Sequence, residues 1–286
     1  MTTAPAPQTL AGRVALVTGG SRGIGRAIAQ RLAAHGAKVV VTASTRSADG
    51  LAHSCALIHT AGGQAAWRVA ELTDAKARAD LVAQASEPFG AIDILVNNAA
   101  AITAYAPPSR IDLTARQAMF AINVDAPIDL IQQALPGMLK QGCGHILNIS
   151  SDTVRTPPPP YPGPAKFVHA LVSYGASKAA LDRYTVGLAA ELHGSGVQVN
   201  SLMPYRIVST EGAAAVVEQM RVTHPNWIEP VEVMAEAAYR LMTGTDSGQI
   251  VVSRALLAQP STRLMALDGI TPFRDESFNS LASIID

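Results

Sequence analysis

The stretch Thr18-Gly19-Gly20-Ser21-Arg22-Gly23-Ile24-Gly25 decides how the rest of the chain reads. It follows an apolar β-like run, Val14-Ala15-Leu16-Val17, and opens a helical pattern from Ile24 to Ala34. A strand, a glycine turn and a helix in that order bring unpaired backbone N–H groups and partial positive charge to one point. Such a point suits the phosphates of a dinucleotide. Glycine at 19, 23 and 25 permits positive φ and lets phosphate and strand approach the backbone with no Cβ between them. The spacing is G-x-x-x-G-x-G, which differs from the general G-x-G-x-x-G of dinucleotide sites.

Outward from this turn, short apolar runs alternate with helix-length amphipathic stretches. Val14–Val17, Lys38–Thr42, Ala66–Val69, Ile92–Val96, His145–Ile149, Val197–Leu202 and Gln249–Val252 read as strands. Several are continuous Val/Ile/Leu runs, the pattern of strands covered by helices on both faces of a parallel sheet. Helical segments are expected at about 24–36, 48–62, 74–88, 110–140, 174–194 and 229–243. Repeated strand–helix alternation predicts an α/β fold, a Rossmann-like doubly wound parallel sheet, in one domain over residues 10–253. Residues 1–9, rich in Pro, Thr and Ala, are expected to be a flexible tail, and residues 254–286 a C-terminal extension.

Bulk composition excludes several classes of function. The 286 residues can bury a sizeable core, and 22 basic residues balance 22 acidic ones. No net charge therefore favours nucleic acid or an acidic membrane surface. The two cysteines, Cys55 and Cys143, have neither metal-ligand nor disulfide-framework spacing, so no metal site is expected. Met1–Leu10 lacks a basic and then apolar leader, and no run of about 18 apolar residues follows. A cytoplasmic protein is the expectation.

Further motifs cluster at strand ends. The second strand runs out into Ala43-Ser44-Thr45-Arg46. A site preferring NAD places an acid here for the ribose 2′-hydroxyl, and this chain has none. Ser44, Thr45, Arg46 and Arg22 instead suit a 2′-phosphate, so NADP(H) is favoured over NAD(H). The fourth strand leads into Asn97-Asn98-Ala99-Ala100, where amides can tie neighbouring backbones and small side chains leave room for a ligand. Asn123 interrupts an apolar helical face. Ser150-Ser151 ends the fifth strand, and Tyr174-Gly175-Ala176-Ser177-Lys178 opens a helix. Tyr and Lys four apart share one helix face, and a nearby ammonium is expected to lower the phenol pKa.

Taken together these residues resemble the short-chain dehydrogenase/reductase family. The carriers are Thr18-Gly19, Gly23-Ile24-Gly25, Asn97–Ala100, Asn123, Ile149-Ser150-Ser151, Tyr174–Lys178 and Asn200-Ser201-Leu202-Met203-Pro204. They stand in the family's order over residues 12 to 252. The resemblance implies a catalytic tetrad of Asn123, Ser151, Tyr174 and Lys178. In it Tyr174 is the general acid/base and Ser151 binds the substrate oxygen. Lys178 tunes the tyrosine and holds the nicotinamide ribose, while Asn123 supports a water relay. Ser151 is preferred over Ser150 because the family's catalytic serine sits second in such a pair. Cofactor contacts are implied at Gly19, Ser21, Arg22, Gly23, Ile24, Gly25, Glu71, Leu72, Asn98, Ala99, Ala100, Pro204, Ile207 and Ser209.

The chain also departs from the family's pattern. Tyr205 replaces the glycine after Pro204, and Ser253-Arg254-Ala255 replaces a frequent Asp-Gly-Gly. Residues 152–173 form an unusually long, proline-rich step between Ser151 and Tyr174, expected to wall the substrate pocket. The extension 254–286 is expected to cover that pocket or to widen a subunit interface. The implied activity is hydride exchange between NADP(H) and a small secondary alcohol or ketone, in a homodimer or homotetramer. Met203, Tyr205 and Trp227 point to an apolar, bulky substrate. The alternative is a catalytically silent nucleotide-binding or scaffold protein with the same fold.

Overall fold

Val14–Thr18 (β1) sits inside the sheet, with strands on both sides, because its side chains are apolar on both faces and all five residues are buried. The structure, a computed structural model, describes residues 6–155, 160, 170–258 and 263–274. After β1 come Gly23–Ala34 (α1), Lys38–Ala43 (β2), Ala48–Thr60 (α2), Gln64–Val69 (β3), Leu81–Ser86 (α3) and Ile94–Asn97 (β4). Leu113–Phe120 (α4), Ala126–Gln141 (α5), Gly144–Ile149 (β5), Val172–Glu191 (α6), Val197–Met203 (β6) and Ile207–Val208 (β7) follow. Ala214–Thr223 (α7), Ile228–Glu229 (β8), Val231–Thr243 (α8), Ile250–Val252 (β9) and Ser253–Leu257 (α9) complete the described elements.

Seven strands form one Rossmann-like sheet in the order β3-β2-β1-β4-β5-β6-β9. Every neighbouring pair is parallel. Alternate side chains of one strand go to opposite faces, so β1 feeds two apolar layers. Ala15 and Val17 pack with α1, α2 and α8 through Ile28, Leu32, Leu51, Ile58, Val233 and Leu241. Val14 and Leu16 pack with α3, α5 and α6 through Leu81, Ala85, Leu130, Met138 and Leu188.

The local differences from expectation have physical causes. The helical pattern at 110–140 is broken by a wide turn at Ala121–Asp125, where the backbone bonds five residues apart. Asn123 lies inside this bulge, fully buried. Such bulges collect at functional sites. The pattern at 74–88 splits into a single turn, Ala75–Arg78, and α3. The two-stranded sheet of β7 and β8 was not expected, since two-residue strands carry no readable period.

Residues 6–9, expected to be loose, are docked. Ala6 is buried, Pro7 O lies 2.8 Å from His35 Nδ1, and Gln8 Nε2 donates to Ala34 O at 3.3 Å. Thr9 Oγ1 meets Tyr239 Oη at 2.9 Å, and the His35 ring stacks on Tyr239 at 3.9 Å. The extension meets the same end of α1. Arg31 Nη1 donates to Ala266 O at 2.5 Å, and Leu264 and Phe273 join the layer under α1 and α8. This is the end of α1 remote from the glycine turn. Residues 264–273 of the extension thus pack at this end of α1. Most of the proline-rich step, at 156–159 and 161–169, and the tail at 275–286 lie outside the described residues.

Candidate active site

The glycine turn is shaped by two different requirements. Gly19 and Gly23 take φ of +65° and +55°, which side chains other than glycine rarely adopt. Gly25 meets the other need, close approach. A Cβ there would overlap the carbonyl oxygen of Gly19 and stand 2.5 Å from Asn98 Nδ2. Asn98 fixes the turn from the next strand, donating through Nδ2 to Thr18 O at 2.9 Å and Gly19 O at 3.2 Å. Thr18 Oγ1 in turn accepts from the backbone N–H groups of Asn98 and Ala99, each at 3.0 Å. Asn97 works in the other direction. Its Nδ2 donates to Asn148 Oδ1 at 2.9 Å, and Asn148 Nδ2 reaches Thr185 Oγ1 at 2.9 Å. One asparagine pair thus links β1, β4, β5 and α6 at the carboxyl ends of the strands.

A cleft of about 1010 Å³ opens over this turn. Among the expected cofactor contacts, Gly19, Ser21, Arg22, Gly23, Ile24, Gly25, Ser44, Arg46, Glu71, Leu72, Asn98, Ala99 and Ala100 line it. Thr45, Tyr174, Lys178, Pro204, Ile207 and Ser209, also expected as contacts, do not. Thr45 N–H instead donates to Glu71 Oε1 at 2.9 Å, so Glu71 holds the turn that carries Arg46. Ser209 N–H donates to Glu229 O at 2.9 Å within the β7–β8 pair. A phosphate-bearing dinucleotide fits the lining, because the glycines of the turn put no Cβ of their own over the N-terminus of α1 and both Arg22 and Arg46 border the cleft.

The four residues expected to form a tetrad lie where β5 ends and α6 begins. Asn123 Oδ1 accepts from Ala101 N–H at 2.9 Å, and its Nδ2 donates to Ala101 O and Ser177 Oγ, each at 3.0 Å. This side chain therefore clamps the loop after β4 to the first turns of α6. Lys178 is buried, and its Nζ donates to Ile149 O at 2.7 Å. Burial pulls the Lys178 pKa down to about 8, against the opposing pull of Asp182. Ser150 and Ser151 separate cleanly. Ser150 Oγ turns inward to Asp182 Oδ2 at 2.9 Å, whereas Ser151 hydrogen-bonds the Tyr174 side chain.

The phenol differs from expectation. Its pKa is raised, chiefly by burial and further by Tyr105, while the Ser151 hydrogen bond acts in the opposite sense. Lys178 does not lower it here, because the ammonium is turned to the Ile149 carbonyl. Met203, expected near the substrate, is buried in β6 opposite Val252. Trp227 is partly exposed and stacks on His224, with ring centroids 4.1 Å apart.

Several site residues carry no local sequence signal. Arg26, Ala101, Ile122, Thr210, Glu211 and Gly212 all line the cleft. Glu229 is fully buried; its Oε1 accepts from Tyr205 N–H at 3.3 Å, and Ser253 Oγ donates to its carboxylate at 2.9 Å. Arg254 Nε lies 3.4 Å from Glu229 Oε2. Burial raises the Glu229 pKa to about 7, although Ser253, Arg254 and the Tyr205 N–H act to lower it. The sequence marks the Tyr205 and Arg254 departures but not this acid that joins them.

Comparison with known proteins places these features in context. A family model described as short chain dehydrogenase matches residues 13–221. The chain is 34% identical over 279 residues to hydroxysteroid dehydrogenase-like protein 2 of Danio rerio, covering 92% of this chain but only 62% of that relative. It is 31% identical over 267 residues to ketoacyl reductase HetN of Nostoc, covering 92% of this chain and 87% of that protein. A crystal structure of 3-oxoacyl (acyl-carrier-protein) reductase from Agrobacterium tumefaciens, with NADP bound, superposes with a TM-score of 0.75 at 30% identity. That match covers 85% of this chain and 93% of the other.

Proposed function

Since the chain belongs to the short-chain dehydrogenase family, we propose that it is an NADP(H)-dependent oxidoreductase interconverting a secondary alcohol and a ketone. The observation that carries the reading is the convergence of Asn123, Ser151, Tyr174 and Lys178 beside a glycine-cradled cleft. A silent scaffold has no need of a buried lysine and a serine-bonded phenol at one point.

In this reading Arg22, Arg46 and Ser44 take the 2′-phosphate, and the N-terminus of α1 takes the pyrophosphate. A bound reduced nicotinamide supplies the hydride that reaches the carbonyl carbon. Ser151 donates a hydrogen bond to the carbonyl oxygen and orients it. Tyr174, kept protonated by burial, gives its phenolic proton to that oxygen as charge develops there. Lys178, four residues on along the same helix face, then returns a proton to the phenolate. Asn123 holds the loop and helix that frame this path. A phenol raised in pKa suits the reductive direction.

The NADP-bound neighbour supports the cofactor choice, as does the absence of an acid at Ala43. The names ketoacyl reductase and hydroxysteroid dehydrogenase-like protein support a carbonyl on an apolar, bulky framework. Among the described residues no helix is long and apolar enough to cross a membrane. A cytoplasmic homodimer or homotetramer completes the proposal, checked by light scattering. The decisive experiment follows NADPH oxidation against ketosteroids, 3-oxoacyl thioesters and simple cyclic ketones. Turnover with any of them supports the enzyme; tight NADPH binding with none favours the scaffold.

A further inference from the structure

The first backbone N–H of α1 is an orphan donor whose partner arrives from far along the chain. Arg22, the residue before the helix, supplies no side-chain cap, and the first turn of α1 contains no acid. Gly23 N–H instead donates to Glu211 Oε2 at 3.0 Å, while Glu211 Oε1 accepts from Arg26 Nη1 at 2.8 Å. Arg26 is itself anchored by its Nε to Ser54 Oγ at 3.0 Å and by a second nitrogen to Ser21 O. The guanidinium is thus fixed from below. The acid is not: the Glu211 side chain remains 53% exposed, on a single turn between β7 and α7.

Thr210, Glu211 and Gly212 all line the same cleft as the glycine turn. Thr210 lies so close to Gly23 that a Cβ there would stand 3.1 Å from it, and Gly212 lies against the Arg22 guanidinium. Burial acts to raise the Glu211 pKa, but its backbone N–H, Arg26, the Gly23 N–H and Arg22 outweigh it and hold the group lower. The carboxylate is therefore ionised at neutral pH, in a field that stabilises anions.

We propose that Glu211 is a displaceable internal anion that competes with the cofactor's pyrophosphate for the N-terminus of α1, so that it sets cofactor affinity. This inference rests on the cofactor reading above. A pyrophosphate seated on the turn takes the Gly23 N–H and the Arg26 field for itself. Like charges exclude one another there, so Glu211 swings away and carries the Thr210–Gly212 turn with it. The acid acts as a weight against which binding is measured, not as a contact to the ligand.

The test is a fluorescence titration of the full chain with NADPH, using wild type, Glu211→Gln and Glu211→Asp. Glu211→Gln is expected to bind NADPH roughly fivefold more tightly, with Glu211→Asp between the two. Inorganic pyrophosphate should likewise raise the melting temperature of Glu211→Gln more than that of wild type. If the glutamine variant does not fold, Glu211→Ala replaces it with the same expectation. Unchanged or weaker NADPH binding by the folded variant overturns the inference while leaving the cofactor reading intact. A wild type that binds no NADPH overturns both.

Discussion

The guanidinium of Arg254 lies over the ring of Tyr205, 5.0 Å from its centroid. These are two positions at which the chain departs from its family's pattern, and they meet in space. The ring that replaces a glycine after Pro204 is covered by the cation that stands at the first glycine of the usual Asp-Gly-Gly after β9. Glu229 binds both, through the Tyr205 N–H and the Arg254 guanidinium. The departures therefore explain each other.

This contact predicts energetic coupling. In a double-mutant cycle with Tyr205→Leu and Arg254→Met, the pair should show a coupling of about 1–2 kcal/mol in urea unfolding. Arg254→Met alone should be the most damaging change, because it leaves the buried Glu229 carboxylate without its cation. Additive effects of the two substitutions would show that the stacked pair contributes nothing.

Glu229 predicts a pH dependence with a definite sign. Its folded pKa of about 7 exceeds its unfolded value of 4.5, so the folded state holds the proton more tightly. That contribution is complete below about pH 4.5 and is lost as pH rises through about 7. Relative to Glu229→Gln, wild type should thus lose about 3 kcal/mol of stability between pH 4.5 and 8. Urea midpoints of both proteins at pH 5 and pH 8 check this; parallel shifts would contradict it.

Lys178 should act with the opposite slope. Burial lowers its folded pKa to about 8 from 10.5, so the folded state sheds the proton first. Its contribution is present above about pH 10.5 and is lost as pH falls through about 8. Wild type should therefore gain on Lys178→Met as pH rises from 7.5 to 10, read from urea midpoints of the two proteins.

Tyr174→Phe should lower turnover by on the order of 10²–10⁴-fold while leaving NADPH affinity within about twofold. The phenol transfers a proton, whereas the cofactor cleft is lined by other residues. Stopped-flow oxidation of NADPH, paired with a binding titration, separates the two effects. Full turnover in the variant would remove Tyr174 from the chemistry.

Arg46→Ala should weaken NADPH binding by about 1.5–3 kcal/mol and leave NADH nearly unchanged, since only the former carries a 2′-phosphate. Equal losses for both cofactors would place Arg46 outside the specificity contact.

The seven strands were legible because a doubly covered parallel sheet demands continuous apolar runs, and Val14–Val17 or Ile94–Val96 can be little else. The glycine turn was legible because its residues are consecutive, and the shared helix face of Tyr174 and Lys178 because they stand four apart. What could not be read is what depends on distant partners. Glu211 reaches Gly23 across most of the chain, and nothing near residue 211 announces it. The bulge around Asn123 hides inside an apolar period that reads as one helix. The direction of the Tyr174 pKa was misread because spacing places Lys178 on the same face but does not reveal that its ammonium points to Ile149.

The strand order also governs how the chain comes to be folded. β1 is flanked by β2, made soon after it, and by β4, which appears only once β3 and α3 have been synthesised. Until β4 arrives, one side of β1 presents a row of unpaired N–H and C=O groups. Parallel pairing adds to the delay, because each crossover must close before its strand is secured. β9 is the last strand to join, covering the open side of β6 with Ser201 opposite Ile250. A growing chain halted between β2 and β4 is thus the species most prone to join another copy edge to edge. How soon Ile94–Asn97 reaches the open side of β1 sets how long that edge stays unpaired.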